Sequence, residues 1–256
     1  TLTAHDFGYV TTTELIERTG ATLDAMARME RHRGHWFNWY DTRTLQPLRP
    51  AYVSSVDSGN LAGHLLTLRA GLKGLADAKP QDDLQSHADA LFGGLADTLG
   101  LLQQAMRGGG DMAQVERFAA LLAHARDASR REPNDSRAAP LRTPDELRTG
   151  WQALSQCAND LLAALPRPSP ATDLPLDMSL TQPQAERWAQ ALKRQCEAAA
   201  AEVSALSSPP MAASPGLWDE AALTARREQL QQLAERVGAM AEMDFGFVDD
   251  PARDLL

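Results

Sequence analysis

Residues 84–106 read Leu-Gln-Ser-His-Ala-Asp-Ala-Leu-Phe-Gly-Gly-Leu-Ala-Asp-Thr-Leu-Gly-Leu-Leu-Gln-Gln-Ala-Met, and their apolar spacing decides the fold class. Leu84, Ala88, Leu91, Leu95, Leu99, Leu102 and Met106 recur at three- and four-residue steps. That is the period of one helix face, whereas a half-buried strand would alternate every second residue. Gly108-Gly109-Gly110 closes the run.

The same spacing returns on both sides. Thr11-Thr12-Thr13-Glu14 is a capping-box pattern opening a helix predicted to run from about Thr12 to His32, with Gly34 as its stop. Asp57 or Ser58 is predicted to cap a second helix, Gly59 to about Ala78, with Pro80 beyond its end. A helix from about Met112 to Arg131 follows the glycines. Thr143-Pro144-Asp145-Glu146 then opens another with cap, first-turn proline and N-terminal acids together. Thr181-Gln182-Pro183-Gln184 opens the next, ending near Leu206, and Trp218 leads into the last, ending near Glu242. The chain is therefore all-α. Periodicity does not distinguish a helical bundle from a partial (α/α)6 toroid.

One segment breaks the pattern. From His35 to Val56 the residues are aromatic, β-branched or turn-forming, predicting a short irregular hairpin at about 36–56 with Trp36–Asp41 and Ala51–Val56 as its arms. Pro47 and Pro50 exclude a regular central strand there.

Composition narrows the function. The chain of 256 residues has a net charge of −9, which argues against a nucleic-acid partner. No run approaches the eighteen or so apolar residues of a membrane span. Its first residue is Thr, so a piece of a longer protein is expected. Cys157 and Cys196 lie in helical stretches without a CxxC and read as buried free thiols, with one long-range disulfide as the alternative. His32 and His35 stand three apart, but no HExxH or carboxylate ligand accompanies them, so no metal is assigned. Gly108–Gly110 lacks the Lys-Ser/Thr of a phosphate loop, and no Gly-x-Ser-x-Gly elbow occurs. Trp151, Trp188 and Trp218 sit at helical spacing among leucines and alanines and read as core.

The chemistry that remains is in the irregular segment. Seven of the chain's fourteen aromatic residues precede residue 60, and four of them fall within Trp36–Tyr40. Here they are interleaved with amide, carboxylate and hydroxyl groups. An aromatic face takes the C–H side of a sugar ring while carboxylates and amides take its hydroxyls. Asp41 and Asp57 flank the hairpin and form the carboxylate pair that glycoside chemistry would require. Each also has a structural reading, Asp57 as a helix cap and Asp41 as an Asx-turn residue. His64 shares a helix face with Asn60, one turn away.

Taken together, Arg33-Gly34-His35-Trp36-Phe37-Asn38-Trp39-Tyr40-Asp41-Thr42, Leu45-Gln46-Pro47-Leu48 and Tyr52-Val53-Ser54-Ser55-Val56-Asp57-Ser58-Gly59-Asn60-Leu61-Ala62-Gly63-His64-Leu65 closely resemble the central region of bacterial cyclic β-1,2-glucan synthases. The match is dense over Gly8–Leu68, and Asp250-Pro251-Ala252-Arg253 resembles the point where that family resumes. The resemblance implies a large multi-pass protein of the bacterial inner membrane, acting at its cytoplasmic face. It would carry a UDP-glucose glycosyltransferase domain, a glycoside-hydrolase-like domain on an (α/α)6 toroid and a phosphorylase-like domain. The middle domain closes linear β-1,2-glucan into a ring by transglycosylation. On this resemblance residues 1–79 are the N-terminal part of that toroid, 80–242 a helical insert, and 243–256 the start of the next segment.

The family's main catalytic carboxylates would lie beyond Leu256, so no catalytic residue is assigned to this chain. Trp39, Tyr40, Asp41, Asp57 and Asn60 are instead expected to contact the glucan. The expected partners are the glucan chain and the other domains of the parent synthase, and neither cofactor nor metal is called for. The alternative is that the helices of 80–242 form a non-catalytic spacer or docking module between domains.

Overall fold

The computed structural model describes residues 1–107, 112–127, 143–165, 184–208 and 218–247. The Gly108–Gly110 stop, the Thr181–Pro183 start, the Asp250–Arg253 segment and the final Leu255-Leu256 lie outside these residues. The described chain is all-α. In order it forms α1 (Leu2–Asp6), α2 (Thr12–Arg28), the short strands β1 (Arg31–His32) and β2 (His35–Trp36), then α3 (Ser55–Asp77) and α4 (Pro80–Met106). α5 (Ala113–Asp127), α6 (Pro144–Ala164), α7 (Gln184–Ala205) and α8 (Glu220–Ala241) follow, with a 3-10 turn at Phe245–Phe247.

Two helix starts are the predicted ones. Thr11 Oγ1 accepts from Glu14 N–H and Glu14 Oε2 accepts from Thr11 N–H, the reciprocal box that satisfies two orphan donors. Thr143 and Glu146 repeat it at α6. Three boundaries differ from the reading. α2 stops at Arg28, because the two-residue hairpin β1–β2 takes the chain from Arg31 to Trp36. Its turn, Arg33-Gly34, has φ of 50° and 87°, the paired positive values that suit the twist of a tight hairpin. α3 begins at Ser55 under a cap from Ser54, not from Asp57 or Ser58. Pro80 is the first residue of α4, where its missing N–H costs nothing, as well as following the end of α3.

The chain gathers into two compact units. The first comprises Thr3–Glu14 and Lys79–Leu223, with Thr1. Within it α4 packs on α5, α5 on α6, α6 on α7, and α7 closes the ring on α4, a four-helix bundle. Its core is the periodic face read at the outset (Leu91, Leu95, Leu99, Leu102, Met106) together with Phe118, Leu147, Trp151, Leu154, Leu161 and Leu192. Phe92 stacks on Trp151 at 4.3 Å between ring centroids. Cys157 and Cys196 are buried free thiols, and desolvation raises both above the ordinary thiol range.

The N-terminal residues are fastened to this bundle by polar groups. His5 stacks on His87 at 4.3 Å and shares a 3.0 Å hydrogen bond with Thr12 Oγ1, while the buried Glu202 accepts from Thr13 N–H at 3.0 Å. Backbone meets backbone beside them. A Cβ on Gly94 would stand 2.4 Å from Gly8 O, and one on Gly8, whose φ is +70°, 1.9 Å from Ala90 O. Only glycine fits at either position.

The second unit comprises Leu15–Ala78 and the chain from Thr224 on, with Leu2. Leu15 and Leu23 of α2, Trp36, Leu65 and Leu72 of α3, and Leu230, Leu233, Val237 and Met240 of α8 form its core. α8, which the sequence reading placed with the insert, thus contributes its apolar face here.

Adjacent glycines of α4 provide a test with opposite signs. A methyl group on Gly93 would meet nothing within 4 Å, so Gly93→Ala should stabilise the chain by roughly 0.5–1 kcal/mol. Gly94→Ala forces two backbones apart and should destabilise it by about 1–3 kcal/mol. Thermal denaturation followed by helical circular dichroism reads both.

Candidate functional site

The irregular hairpin predicted at about 36–56 is a loop held by backbone rungs. Asn38 N–H donates to Tyr52 O at 2.8 Å, Leu48 N–H to Trp39 O at 2.9 Å and Asp41 N–H to Gln46 O at 2.9 Å, and Tyr40 bridges Pro47. Leu45 sits at φ 57° in the tightest part of the turn. The rungs leave alternate aromatic residues in different surroundings.

Trp36 is core, with its indole N–H 3.4 Å from Met26 O and the Arg31 guanidinium over its ring. Tyr40 is half-buried. Its hydroxyl donates to Glu30 O at 2.6 Å and accepts from Phe37 N–H at 2.8 Å, and burial raises the phenol above its ordinary pKa. Trp39 points the other way and is 67% exposed. Leu48, Tyr52 and Val56 of the same segment are also exposed, at 49%, 59% and 69%. Four large apolar side chains of one segment are thus exposed.

The loop is fixed to the start of α3 by one side chain. Asn38 Oδ1 accepts from Ser54 N–H at 2.9 Å, and Asn38 Nδ2 donates to Asp57 Oδ2 at 2.8 Å. Ser54 Oγ in turn accepts from Asp57 N–H at 3.1 Å. Asp57 is therefore a first-turn residue of α3, favourably placed at the helix N-terminus, and its carboxylate is aimed by Asn38. Asn60 stands three residues on, exposed on the same helix face.

Asp41 is engaged in its own turn. Its Oδ1 accepts from Arg43 N–H at 2.8 Å and Thr44 N–H at 2.9 Å, and these two bonds, Thr44's first, hold the carboxyl below the usual aspartate range. Of the nearby histidines, His35 is fully buried, with Nε2 2.7 Å from Asp244 O and its ring edge-on to Phe245, whereas His32 and His64 are exposed. The structure thus brings Trp39, Asn38, Asp57 and Asn60 onto one loop and helix start. It ties Tyr40 and Asp41 into the framework beside them.

Asn38 is the residue that sequence reasoning passed over. It stands inside the aromatic run, but its partners are sixteen and nineteen residues away, and no local pattern points to them. Asp244 is a second omission. Its N–H donates to Arg33 O at 3.0 Å, and its carboxylate lies 3.5 Å from the Arg33 guanidinium, so the chain beyond α8 clasps the β1–β2 turn.

Among the described residues no helix is long and apolar enough to cross a membrane, and no three His, Cys, Asp or Glu side chains gather as a metal site. No family model matches the chain. The chain is, however, 33% identical over 259 aligned residues, covering all of it, to the cyclic β-(1,2)-glucan synthase NdvB of Rhizobium meliloti (strain 1021). It spans 8% of that protein's length. The likeness seen in Gly8–Leu68 therefore runs the whole length of the chain, the bundle helices included.

Two outcomes test this geometry. Asn38→Ala removes both anchors of a half-buried loop. It should cost roughly 1–2 kcal/mol and speed amide exchange at Leu48 and Asp57, read by hydrogen–deuterium exchange. For Asp41 the folded pKa lies below the unfolded value of about 3.9, so its contribution to stability is present above that value and is lost as pH falls through the folded one. Carbon-detected NMR should place the Asp41 titration below the ordinary aspartates of the chain.

Proposed function

We propose that this segment of a cyclic β-(1,2)-glucan synthase supplies one wall of the cleft in which linear β-1,2-glucan is closed into a ring by transglycosylation. The observation that carries the reading is Trp39, two-thirds exposed in the loop that Asn38 ties to the Asp57 carboxylate. The indole offers a face for the C–H side of a glucosyl ring, and Asp57 and Asn60 offer acceptors and donors for its hydroxyls. Tyr40 and Asp41 line the same rim, their polar atoms mainly positioning the loop. The catalytic acids belong to other parts of the synthase, and the segment serves at the cytoplasmic face of the bacterial inner membrane as part of a membrane-spanning parent. By the sequence resemblance residues 1–79 belong to its transglycosylase toroid and 80–242 to a helical insert whose last helix, α8, packs with α2 and α3.

A second reading is favoured by one observation, the closed core of the four-helix bundle. A bundle that buries its own apolar faces suits a spacer or docking module between domains.

The test uses the full-length synthase. Trp39→Ala and Asp57→Ala should each leave chain elongation intact while lowering the yield of cyclic glucan at least tenfold, measured by chromatography of the products. Cyclisation at the parental level in both variants would sink the first reading. Loss of assembly on removing the bundle helices, with linear glucan still bound, would establish the second.

A further inference from the structure

The four-helix bundle carries a groove that the aromatic loop does not account for. It has a volume of about 290 Å3 and is walled by Leu101, Gln104 and Ala105 of α4 and by Gln184, Arg187 and Trp188 of α7. Each wall is one helical stripe, since positions i, i+3 and i+4 share a face. The floor is firm, because Leu102, Met106, Ala189 and Leu192 on the same two helices belong to the buried core. Trp188 packs against that core yet stays half-buried, so part of its indole faces the groove. Helical spacing alone reads it as core.

The chemistry of the lining selects a ligand class. Among the described residues no carboxylate lines the groove, which disfavours a cation, and one guanidinium without a second cationic group there is a poor cradle for phosphate. Two exposed amides supply donors and acceptors, and the guanidinium supplies donors in a fixed plane. An aromatic surface flanked by such groups matches a neutral ring with apolar C–H faces and equatorial hydroxyls. The volume lies at the small end of ligand pockets, with room for about one or two sugar rings.

We infer that this groove is a second carbohydrate contact, in which Trp188 stacks on a glucosyl unit of the glucan while Gln104, Gln184 and Arg187 bond its hydroxyls. The identity of the sugar rests on the function proposed above; the groove and its lining do not.

The test observes the indole N–H signals of the 256-residue chain by nitrogen-15 NMR, assigned by single Trp→Phe substitutions, during titration with a short linear β-1,2-glucooligosaccharide to millimolar concentration. The Trp39 and Trp188 signals should both move, with separate midpoints. Gln104→Ala combined with Arg187→Ala, both at exposed positions, should weaken the Trp188 response at least tenfold and leave that of Trp39 unchanged. A moving Trp39 with a static Trp188 overturns the groove and leaves the loop reading standing. The reverse keeps the groove and overturns the loop, and two static signals overturn both. A Trp188 response that survives the double variant, or that glycerol reproduces, also overturns the inference.

Discussion

The amide of Asn38 is the joint on which the candidate site depends. One carbonyl oxygen takes the Ser54 N–H and one amino group gives to the Asp57 carboxylate, so a single planar side chain sets where the loop ends and the helix begins. The free N–H groups of the first helical turn need acceptors, and the Ser54 hydroxyl supplies one of them. Asp57 thereby lies in the positive field of the helix start with its carboxylate pointing back to the loop.

The two units meet different physical demands. In the bundle, long periodic faces bury the apolar surface, a capping box closes the start of α6, and the tight fits are steric, as at Gly8 and Gly94. In the unit that holds the loop, irregular backbone must satisfy its own polar groups. It does so through rungs, an Asx turn and the phenol of Tyr40, which serves both Glu30 O and Phe37 N–H.

Much of this was legible in the residues. The helix faces of α4, α6 and α7 follow directly from three- and four-residue spacing, and both capping boxes lie where threonine and glutamate stand three apart. The start of α3 was misread because Ser54, Ser55, Asp57 and Ser58 are all good caps, and the choice among them is made by Asn38, sixteen residues upstream of Ser54. α2 was extended too far because Met29 keeps the apolar period past the last helical turn, while the reversal at Arg33-Gly34 depends on backbone angles that an arginine does not advertise. By helix propensity Gly94 is only a weak point, and the reason for it is the backbone of Gly8, which lies far back in the chain. Within the site, Trp39 and Asp57 were visible as residue types. That Trp36 turns inward and Trp39 outward was not, because the loop has no period from which to read it.

The turn at Asp41 has a consequence for how such a loop changes over time. Its carboxylate closes on two amides just beyond it, and the rung from Asp41 to Gln46 seals the tip below that point. The tip from Thr42 to Leu45 is therefore insulated from the base that carries Trp39. Arg43 gives the turn a backbone N–H that any residue but proline supplies, so exchanges there can change what the loop presents and keep the bond to Asp41, whereas Thr44 adds its hydroxyl as acceptor for the Gln46 N–H. The loop is built as a fixed platform with an interchangeable rim, an arrangement that lets its surface chemistry change while the scaffold stays constant.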